Sequence, residues 1–314
     1  MPNNACHIGA VVVAYRSAGC LLDCLNGLFA SGAEKIVVVD NAQDSATRAL
    51  VECIDTERDN RVRYHAPVAN LGYGRAVNVG LRMLGDADWI VVVGPDVVLT
   101  ERLPALTNAA DQHHAALIAG QLLPDDPRSG INVRPLASPI GELRRALLGN
   151  RRTHAHPILA TDTCSRVGQI DGCFVLARRQ ILDQLGGFDE RFELYFEDVD
   201  LCQRAHELGG SWLCPTIYGH HRGGASSQQV PAAAYSAFRI SRLRYLRKHW
   251  GAFGSFFAIL AAATEIATRT FSRQPEGLGT RLASLALQLK ELAHPGAVWV
   301  LPGGMPTSRT CNQR

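Results

Sequence analysis

One stretch of the chain, residues 186–204, holds a high density of side chains that can accept protons. Its six carboxylates are Asp189, Glu190, Glu193, Glu197, Asp198 and Asp200. Phe192, Tyr195 and Phe196 lie between them, which is not typical of a solvated acidic tail. A partly desolvated carboxylate beside other carboxylates has a raised pKa and can serve as a general base. Alternatively, these acids favour the first turn of a helix through its dipole, and the stretch alone leaves both interpretations open.

Two more acids follow predicted strands in the N-terminal third of the chain. Apolar, β-branched segments predict four buried strands, at residues 8–14, 35–39, 62–65 and 89–93, with helical patterns between them. This alternation indicates a doubly wound α/β layer, in which ligands bind beyond the carboxyl ends of the strands. Asp40 and Asp96 occupy two such ends, so both are candidates for contact with a ligand.

A glycine-containing loop, residues 70–78, follows the third predicted strand. Its Gly72 and Gly74 match part of a dinucleotide-binding fingerprint, but the third glycine is missing and the loop does not follow the first strand. A Rossmann dehydrogenase is therefore disfavoured. The loop predicts either a tight turn with a helix N-cap or a backbone cradle for a phosphate or ribose at a helix N-terminus.

The composition is that of an ordinary globular protein. The chain has 314 residues, of which 46% are hydrophobic and 19% charged. The net charge of +3 argues neither for nor against nucleic acid, and no nucleic acid partner is expected. Nine cysteines form no CxxC pair and most lie in apolar runs, which predicts free thiols in a reducing cytoplasm. The N-terminus lacks the cationic segment of a secretory signal, and the longest apolar run, residues 252–263, is too short to span a bilayer.

The pattern changes in the second half of the chain. Residues 121–160 lose the alternation, and their prolines and arginines predict an irregular, mobile insertion whose basic cluster is solvated or meets an anionic acceptor. The arginines of that cluster are Arg144, Arg145, Arg151 and Arg152. Residues 211–218 then predict another strand, followed by a loop from Gly219 onward.

Three helices are predicted near the C-terminus, at residues 235–250, 253–268 and 280–293. The first is amphipathic and basic, and its cations are Arg239, Arg242, Arg244, Arg247 and Lys248. Two interpretations stay open: the basic residues form solvated faces of packing helices, or they attach the protein to an anionic membrane surface.

Eight short motifs follow one another between residues 8 and 250. They are VVVAY at 11–15, VVDNA at 38–42, NLGYGRAVN at 70–78, GPDV at 94–97, DGCF at 171–174, GFDE at 187–190, EDVDL at 197–201 and HRGGAS at 221–226. In this order they resemble the GT-A glycosyltransferases of family 2, most closely the bacterial rhamnosyltransferase-like branch. The resemblance implies a GT-A fold, a mixed and mostly parallel sheet flanked by helices, with a C-terminal helical extension.

The resemblance also implies a division of the chain. The glycosyltransferase domain covers residues 1–228, with a nucleotide-binding half at about 8–120 and an acceptor half at about 160–228. A helical extension covers residues 229–301, and residues 302–314 form a disordered tail.

The resemblance assigns roles to the acids of the opening stretch and to the nucleotide side. Asp198 is the base that deprotonates the acceptor hydroxyl, Glu197 orients the acceptor or the base, and Asp200 caps the helix. On the donor side, Asp40 holds the nucleotide base or ribose, with Ala14 and Tyr15 flanking the ring. The residues that line the nucleotide or diphosphate are Asn70, Gly72, Arg75 and Asp96.

A divalent cation, Mg²⁺ or Mn²⁺, is implied as the cofactor, because such a cation neutralises the leaving nucleoside diphosphate. By resemblance Asp96 ligates it, and His221 adds a ligand or touches the diphosphate, with His220 as a competing candidate. Gly94 departs from the family pattern, which has a polar residue there. Metal binding is therefore expected to be weaker or more dependent on phosphate.

The resemblance thus predicts an inverting hexosyltransferase that builds a cell-envelope polysaccharide. The expected donor is dTDP-rhamnose, and the expected acceptor is a hydroxyl of a glycan or of a polyprenyl-linked glycan. The alternatives are a family 2 transferase that uses a UDP-sugar and, because of Gly94, a catalytically weak protein that binds sugar nucleotides or glycans. The expected location is the cytoplasm, with peripheral association at the inner face of the cell membrane as a further expectation.

Overall fold

The computed structural model describes residues 7–125, 132–148, 163–222, 231–269, 277–295, 300–301 and 305–306. Its strands are β1 (Ile8–Ala14), β2 (Lys35–Asp40), β3 (Val62–His65), β4 (Trp89–Val93), β5 (Val97–Leu99), β6 (Leu117–Pro124), β7 (Val133–Arg134), β8 (Ser165–Val167), β9 (Gln169–Ile170), β10 (Phe174–Arg178), β11 (Ser211–His221), β12 (Val300–Leu301) and β13 (Met305–Pro306). Its helices are α1 (Ala18–Ser31), α2 (Ser45–Glu57), α3 (Tyr73–Leu84), α4 (Leu103–His113), α5 (Pro139–Leu148), α6 (Arg179–Leu185), α7 (Glu197–Ala205), α8 (Pro231–Arg269) and α9 (Leu278–Ala293). A single 3₁₀ turn, His206–Leu208, follows α7.

The centre of the fold is a nine-stranded sheet in the order β3-β2-β1-β4-β10-β6-β11-β5, with β8 paired to β11. The four strands β3, β2, β1 and β4 are parallel, and their apolar residues are buried because helices cover both faces. Beyond β4, strand β10 runs antiparallel to both its neighbours, and β11 is parallel to β6. The predicted alternation of strand and helix, and the mixed sheet flanked by helices, are confirmed.

Two expectations for the second half of the chain are wrong. The segment 121–160 is not irregular throughout, because its described part contains the end of β6, the short strand β7 and the helix α5. The strand predicted at residues 211–218 continues to His221, because its last residues pair with β5. Arg151 and Arg152, and residues 223–226 of the last motif, lie outside the described residues.

The C-terminal helices are confirmed, with a kink between the first two. The helix α8 extends over 39 residues, but Gly251 within it has φ 58° and ψ −136°, which bends the helix between its basic and apolar parts. Among the described helices, α8 alone is long and apolar enough over Ala232–Thr268 to cross a membrane, by length and composition only. The domain boundary predicted at residue 228 falls outside the described residues and stays a prediction. In the predicted tail, Met305–Pro306 pairs with β12.

The basic residues of α8 do not form the solvated face that the sequence suggested. Arg239 and Arg242 are buried, and Arg244 and Lys248 bind carboxylates of other helices and loops. Of the five cations in this part of α8, only Arg247 is exposed. The charge pattern of the helix therefore serves mainly contacts within the protein.

The cysteines also depart from expectation. Cys164 and Cys214 form a disulfide that joins the segment before β8 to β11, so the prediction of free thiols is wrong for this pair. Cys24 and Cys202 are buried free thiols, as their apolar neighbours predicted.

Candidate functional site

The strand ends of the sheet bring Asp96 and His221 together. Strand β10 begins opposite the last residue of β4, because Phe174 pairs with Val93. Strand β11 ends opposite the start of β5, where His221 pairs with Val97. The residues just after β4, just before β10 and at the end of β11 therefore meet at one edge of the sheet, the edge at which parallel α/β sheets bind ligands.

Asp96, His221 and Cys173 form a short chain of contacts at this edge. His221 Nε2 lies 3.5 Å from Asp96 Oδ1, and His221 Nδ1 lies 3.8 Å from Cys173 Sγ. Nε2 is therefore the nitrogen that faces the Asp96 carboxylate, and Nδ1 donates toward the sulfur when it carries a proton. His220 lies on the other side of β11, where it lines a cleft with Asp23 and Asn26. The structure therefore favours His221 over His220 as the histidine beside Asp96.

The electrostatics of this chain of contacts favour a cationic imidazole. Burial lowers the pKa of His221, but Cys173 and the Asp96 carboxylate raise it, and the net effect is a pKa above the ordinary value. Burial raises the pKa of the Cys173 thiol, and the neighbouring His221 opposes that rise. At neutral pH His221 thus places positive charge next to Asp96.

Gly94, which has no side chain, lies close to Asp96 and Cys173. A Cβ on residue 94 would lie 3.1 Å from Asp96 Oδ1 and 3.4 Å from the Cβ of Cys173. The Asp96 carboxylate therefore occupies space that a side chain at position 94 would need. The absence of a side chain at residue 94 thus leaves room for the Asp96 carboxylate in its present position.

The acidic stretch enters the site through a strained turn. Tyr195 and Phe196, which precede α7, have φ values of 68° and 66°, a left-handed conformation that aromatic residues rarely adopt. Packing against α8 holds the turn: the ring centroid of Phe196 lies 5.2 Å from that of Phe238 and 5.3 Å from that of Tyr245. The C-terminal helix therefore sets where α7 begins.

The first two residues of α7 have different surroundings. Glu197 is 5% exposed, and its Oε2 has no hydrogen-bond partner within the described part of the chain. Burial, and then the charge of Asp198, raise the pKa of Glu197 well above its ordinary value. Asp198 is partly exposed, and its carboxylate accepts hydrogen bonds from the backbone N–H groups of Gly172 (2.9 Å) and Val199 (2.8 Å). Glu197 is thus an enclosed acid with a raised pKa, whereas Asp198 is held at a surface that a substrate can reach.

The pKa of Asp198 is raised by burial and then by the charge of Asp171, while the two backbone N–H groups and Arg134 oppose the rise. Arg134 Nη2 lies 3.0 Å from Asp171 Oδ2, so its charge is shared with that neighbouring acid. A carboxylate whose pKa is raised by burial and by a neighbouring acid suits general-base catalysis.

Tyr73 lies among both groups of acids. Its hydroxyl donates to the carbonyl of Gly172 at 2.7 Å, and burial, followed by the charges of Cys173, Glu197, Asp198 and Asp96, raises its pKa well above the ordinary value. The strand-end pair and the start of α7 therefore belong to one site, joined by residues 171–173 and by Tyr73.

Three residues of the site, Tyr73, Asp171 and Cys173, lie within the sequence motifs but received no predicted role. The available signal was their position: Asp171 and Cys173 directly precede a buried strand, and Tyr73 begins a helix. Their partners, however, depend on which strands pair, and a single sequence does not show that.

The glycine loop, residues 70–78, contacts the segment that precedes α7. Gly72 has φ 77°, and a Cβ there would lie 2.2 Å from the carbonyl oxygen of Glu193, so only glycine fits. Tyr73 N–H donates to the same carbonyl at 2.8 Å. The Asn41 amide holds the loop from the other side, because its Nδ2 donates to the Gly72 carbonyl at 2.9 Å. Asn70 is exposed and accepts from the Gly72 N–H, so it remains available to a ligand.

Asp40 and Arg75, both predicted to contact the nucleotide, are bound within the protein. Asp40 is fully buried, and its carboxylate accepts hydrogen bonds from the N–H groups of residues 42 and 44 and from the hydroxyl of Tyr64. Arg75 donates to the carbonyl of Glu190 and pairs with its carboxylate. In this arrangement Asp40 holds the turn after β2, and Arg75 binds the segment that precedes α7. Their contacts with a nucleotide stay predictions.

Ala14 is the last residue of β1 and Tyr15 follows it, as predicted. Ala14 is fully buried and its carbonyl accepts from Asn41 N–H, while Tyr15 is partly exposed with the Arg16 guanidinium 5.4 Å from its ring. Tyr15 is therefore the member of this pair that a nucleotide ring could contact.

Asp200 does not cap α7, contrary to the sequence interpretation. Its carboxylate is fully buried and binds Arg204 at 2.7 Å, Lys248 at 2.5 Å and His249 at 2.8 Å. The last two belong to α8. Asp200 thus joins α7 to α8 through charged hydrogen bonds.

Within the described residues no group of three or more His, Cys, Asp or Glu side chains is placed to hold a metal ion. The pair of Asp96 and His221 offers one carboxylate oxygen and one imidazole nitrogen. That donor set fits a cation such as Mn²⁺ that takes few ligands from the protein and shares its shell with phosphate oxygens.

Comparison with known proteins identifies the class. The model of glycosyl transferase family 2 matches residues 10–186, and the chain belongs to this family. A relative, the N-acetylglucosaminyl-diphospho-decaprenol L-rhamnosyltransferase of Mycobacterium tuberculosis, is 32% identical over 233 residues, which are 67% of this chain and 74% of the relative. The protein is thus a glycosyltransferase.

Solved structures support the fold. TarS 1-349 of S. aureus in complex with UDP-GlcNAc superposes with a TM-score of 0.53 at 16% identity, over 90% of this chain and 81% of that one. GalNAc-T7 with UDP, GalNAc and Mn²⁺ superposes with a TM-score of 0.62 at 13% identity, over 93% of this chain and 57% of that one. At these identities the likeness shows the GT-A fold alone.

Proposed function

We propose that the protein transfers rhamnose from dTDP-rhamnose, with inversion, to a hydroxyl of a polyprenyl-diphosphate-linked glycan at the inner face of the cell membrane. The observation that carries the proposal is the joining of Asp198 to the Asp96–His221 pair through Gly172, Cys173 and Tyr73. The rhamnosyltransferase that resembles this chain over two thirds of its length supports the choice of sugar and acceptor.

Asp198 acts as the base in this proposal. Inverting transfer requires a carboxylate that takes the proton of the acceptor oxygen as that oxygen attacks the anomeric carbon. Asp198 is reachable, and its two backbone donors fix its orientation. Glu197 is enclosed and out of reach of an acceptor, so its role is to support the position of Asp198 and of the acceptor without taking the proton.

The opposite side of the site receives the nucleotide. Tyr15 contacts the base, the exposed Asn70 and the backbone around Gly72 line the sugar nucleotide, and Asp96 with His221 faces the diphosphate. Asp96 and His221 would also hold a divalent cation, which supplies charge neutralisation to the leaving diphosphate when it is bound. Only the neutral imidazole of His221 can ligate a metal, so without a cation the protonated ring would place its positive charge beside the same diphosphate.

The donor is tested by thermal-shift measurements with dTDP-, UDP- and GDP-sugars, each with and without Mn²⁺. The proposal expects the largest stabilisation with dTDP-rhamnose and Mn²⁺, because a ligand that binds only the folded state stabilises it by mass action. Preference for a UDP-sugar would support the UDP-dependent alternative. If no nucleotide stabilises the protein, the transferase proposal fails.

The base is tested by Asp198→Asn, which keeps the size of the side chain. Turnover should fall by about 10²–10⁴-fold, the usual contribution of a general base, while donor affinity stays within about twofold of wild type. Asp183→Asn, on the exposed face of α6, is the matched control and should leave turnover unchanged. Normal turnover by Asp198→Asn would refute the assignment. Wild-type protein that binds donor but transfers no sugar would favour the binding-protein alternative.

A further inference from the structure

Helix α9 buries polar residues and exposes apolar ones. Its buried residues are Arg281, Ser284, Gln288 and Glu291. Its exposed large hydrophobic residues are leucines: Leu278, Leu282 and Leu289 are 44%, 50% and 50% exposed. A helix on the surface of a water-soluble protein normally shows the opposite arrangement, with an apolar stripe facing the core.

The part of α8 that follows the kink at Gly251 shows the same arrangement. Phe253, Phe256 and Leu260 lie at helical spacing and are 55%, 62% and 36% exposed. Glu265 is the only charged residue from 252 to 268, and it is buried in ion pairs with Arg239 and Arg242. An apolar stripe thus faces outward while the charges face inward.

The helix α5, which packs against α8, repeats the pattern. Ile140, Leu147 and Leu148 are exposed, whereas Glu142 is buried and bound by Arg145 and Arg242. Nine of the twelve exposed large hydrophobic residues in the described part of the chain belong to α5, α8 and α9. Single exposed leucines are ordinary, but this concentration on α8 and the two helices that pack against it is typical of an interaction surface.

The charges of the three helices indicate which partner fits. Their acids are Glu142, Glu265 and Glu291, and each is buried in an ion pair with arginine. Among the described side chains of these helices, the exposed charged residues are all cations, namely Arg144, Arg247 and Lys290. An apolar face with cations and no acids complements a bilayer whose headgroups are anionic.

We propose that the outer face of α5, α8 and α9 lies in the interface of an anionic lipid bilayer. Buried, paired charges beneath an apolar exterior are what the low dielectric of lipid selects. The basic half of α8 packs Leu243, Tyr245 and Leu246 against the acceptor half, so that half is held in the protein. Because only one side of α8 is apolar and exposed, the helix lies in the interface and does not cross the membrane. This surface stands independently of the reaction proposed above.

Vesicle flotation of the full chain tests the proposal without any need for catalysis. Wild-type protein should float with phosphatidylcholine vesicles that contain phosphatidylglycerol, and the double variant Phe256→Ser/Leu282→Ser should bind at least about tenfold more weakly. Leu22→Ser, at an exposed leucine on α1 outside the surface, is the matched control and should bind like wild type. Circular dichroism melting checks that both variants are folded.

A second double variant, Arg247→Gln/Lys290→Gln, tests the charge. It should lower affinity for the anionic vesicles by about fivefold per cation, and should change affinity for pure phosphatidylcholine little. The proposal is overturned if wild type floats with neither vesicle, or if Phe256→Ser/Leu282→Ser binds like wild type. It is also overturned if Phe256→Ser/Leu282→Ser converts a wild-type dimer to monomers with unchanged flotation, because a second copy would then cover the face.

Discussion

The interior of the sheet is mostly apolar, whereas the interior of the C-terminal helices combines apolar clusters with buried charges. The strands β1, β2 and β4 bury valine and isoleucine on both faces, and the largest core cluster continues through them. The helices α5, α8 and α9 bury arginine, glutamate and glutamine and expose phenylalanine and leucine. The two regions are therefore adapted to different surroundings. The sheet excludes water from an apolar centre, and the helices keep charge away from an apolar exterior.

The regions meet at the start of α7. The turn at Tyr195 and Phe196 packs against α8, and Asp200 binds Lys248 and His249 of the same helix. The catalytic helix is therefore held on one side by the sheet, through Gly172, and on the other by the helices. A change in either region should reach Asp198, but by a different physical route.

The strongest effect on stability is expected where charge is buried. Glu265→Gln keeps the shape of the side chain and removes the buried negative charge that Arg239 and Arg242 share. It should lower the free energy of unfolding by about 3–5 kcal/mol, measured by denaturant titration in mild detergent. Glu34→Gln, which removes an exposed partner of His7, is the control and should cost less than about 1 kcal/mol. Similar costs for the two variants would mean that the helical interior is hydrated, and the contrast between the regions would fail.

A smaller effect separates the packing density of the two regions. At Gly80 of α3 a Cβ would lie 2.4 Å from Cγ1 of the fully buried Val11 in β1, so Gly80→Ala should cost about 1–3 kcal/mol of stability. At Gly279 of α9 a Cβ would meet nothing within 4 Å, and Gly279→Ala should stabilise the protein by about 0.5 kcal/mol. Thermal unfolding of both variants measures the contrast. Equal effects of one sign would argue against it.

The sheet was predictable because its signal is local. Buried parallel strands appear as continuous apolar runs, so β1 to β4 and the acids at their ends follow from the residues themselves. The order of motifs then predicted one site for Asp96, Asp198 and His221, and the structure joins them through residues 171–173.

The helical interior was not predictable for the opposite reason. A basic helical pattern is usually solvated, and nothing near Arg239 in the chain shows that its partner is Glu265, or that Glu142 approaches Arg242 across a different helix. The partners of Asp40 and Arg75 were hidden in the same way, because Tyr64 and Glu190 reach them only in the folded protein. Pairings distant in sequence decide which polar residues are bound within the protein and which remain for a ligand.

The smallest expected effect is a shift of the pH–rate profile. It tests whether the charge of Asp171, beside the sheet, controls the pKa of Asp198. The negative charge of Asp171 raises the pKa of Asp198, and Arg134, now shared with Asp171, lowers it. A base must be ionised, so activity is lost as the pH falls through the pKa of Asp198. In Asp171→Asn the raising charge is gone and Arg134 acts on Asp198 alone. The acidic limb of the pH–rate profile should therefore move to lower pH, by up to about one unit. Asp111→Asn, at an exposed pair with Arg178, should leave the limb in place. A limb that does not move in Asp171→Asn would show that the charge of Asp171 does not control the pKa of the base. The sheet region and the C-terminal helices would then differ in composition, but not in what their ionised groups do.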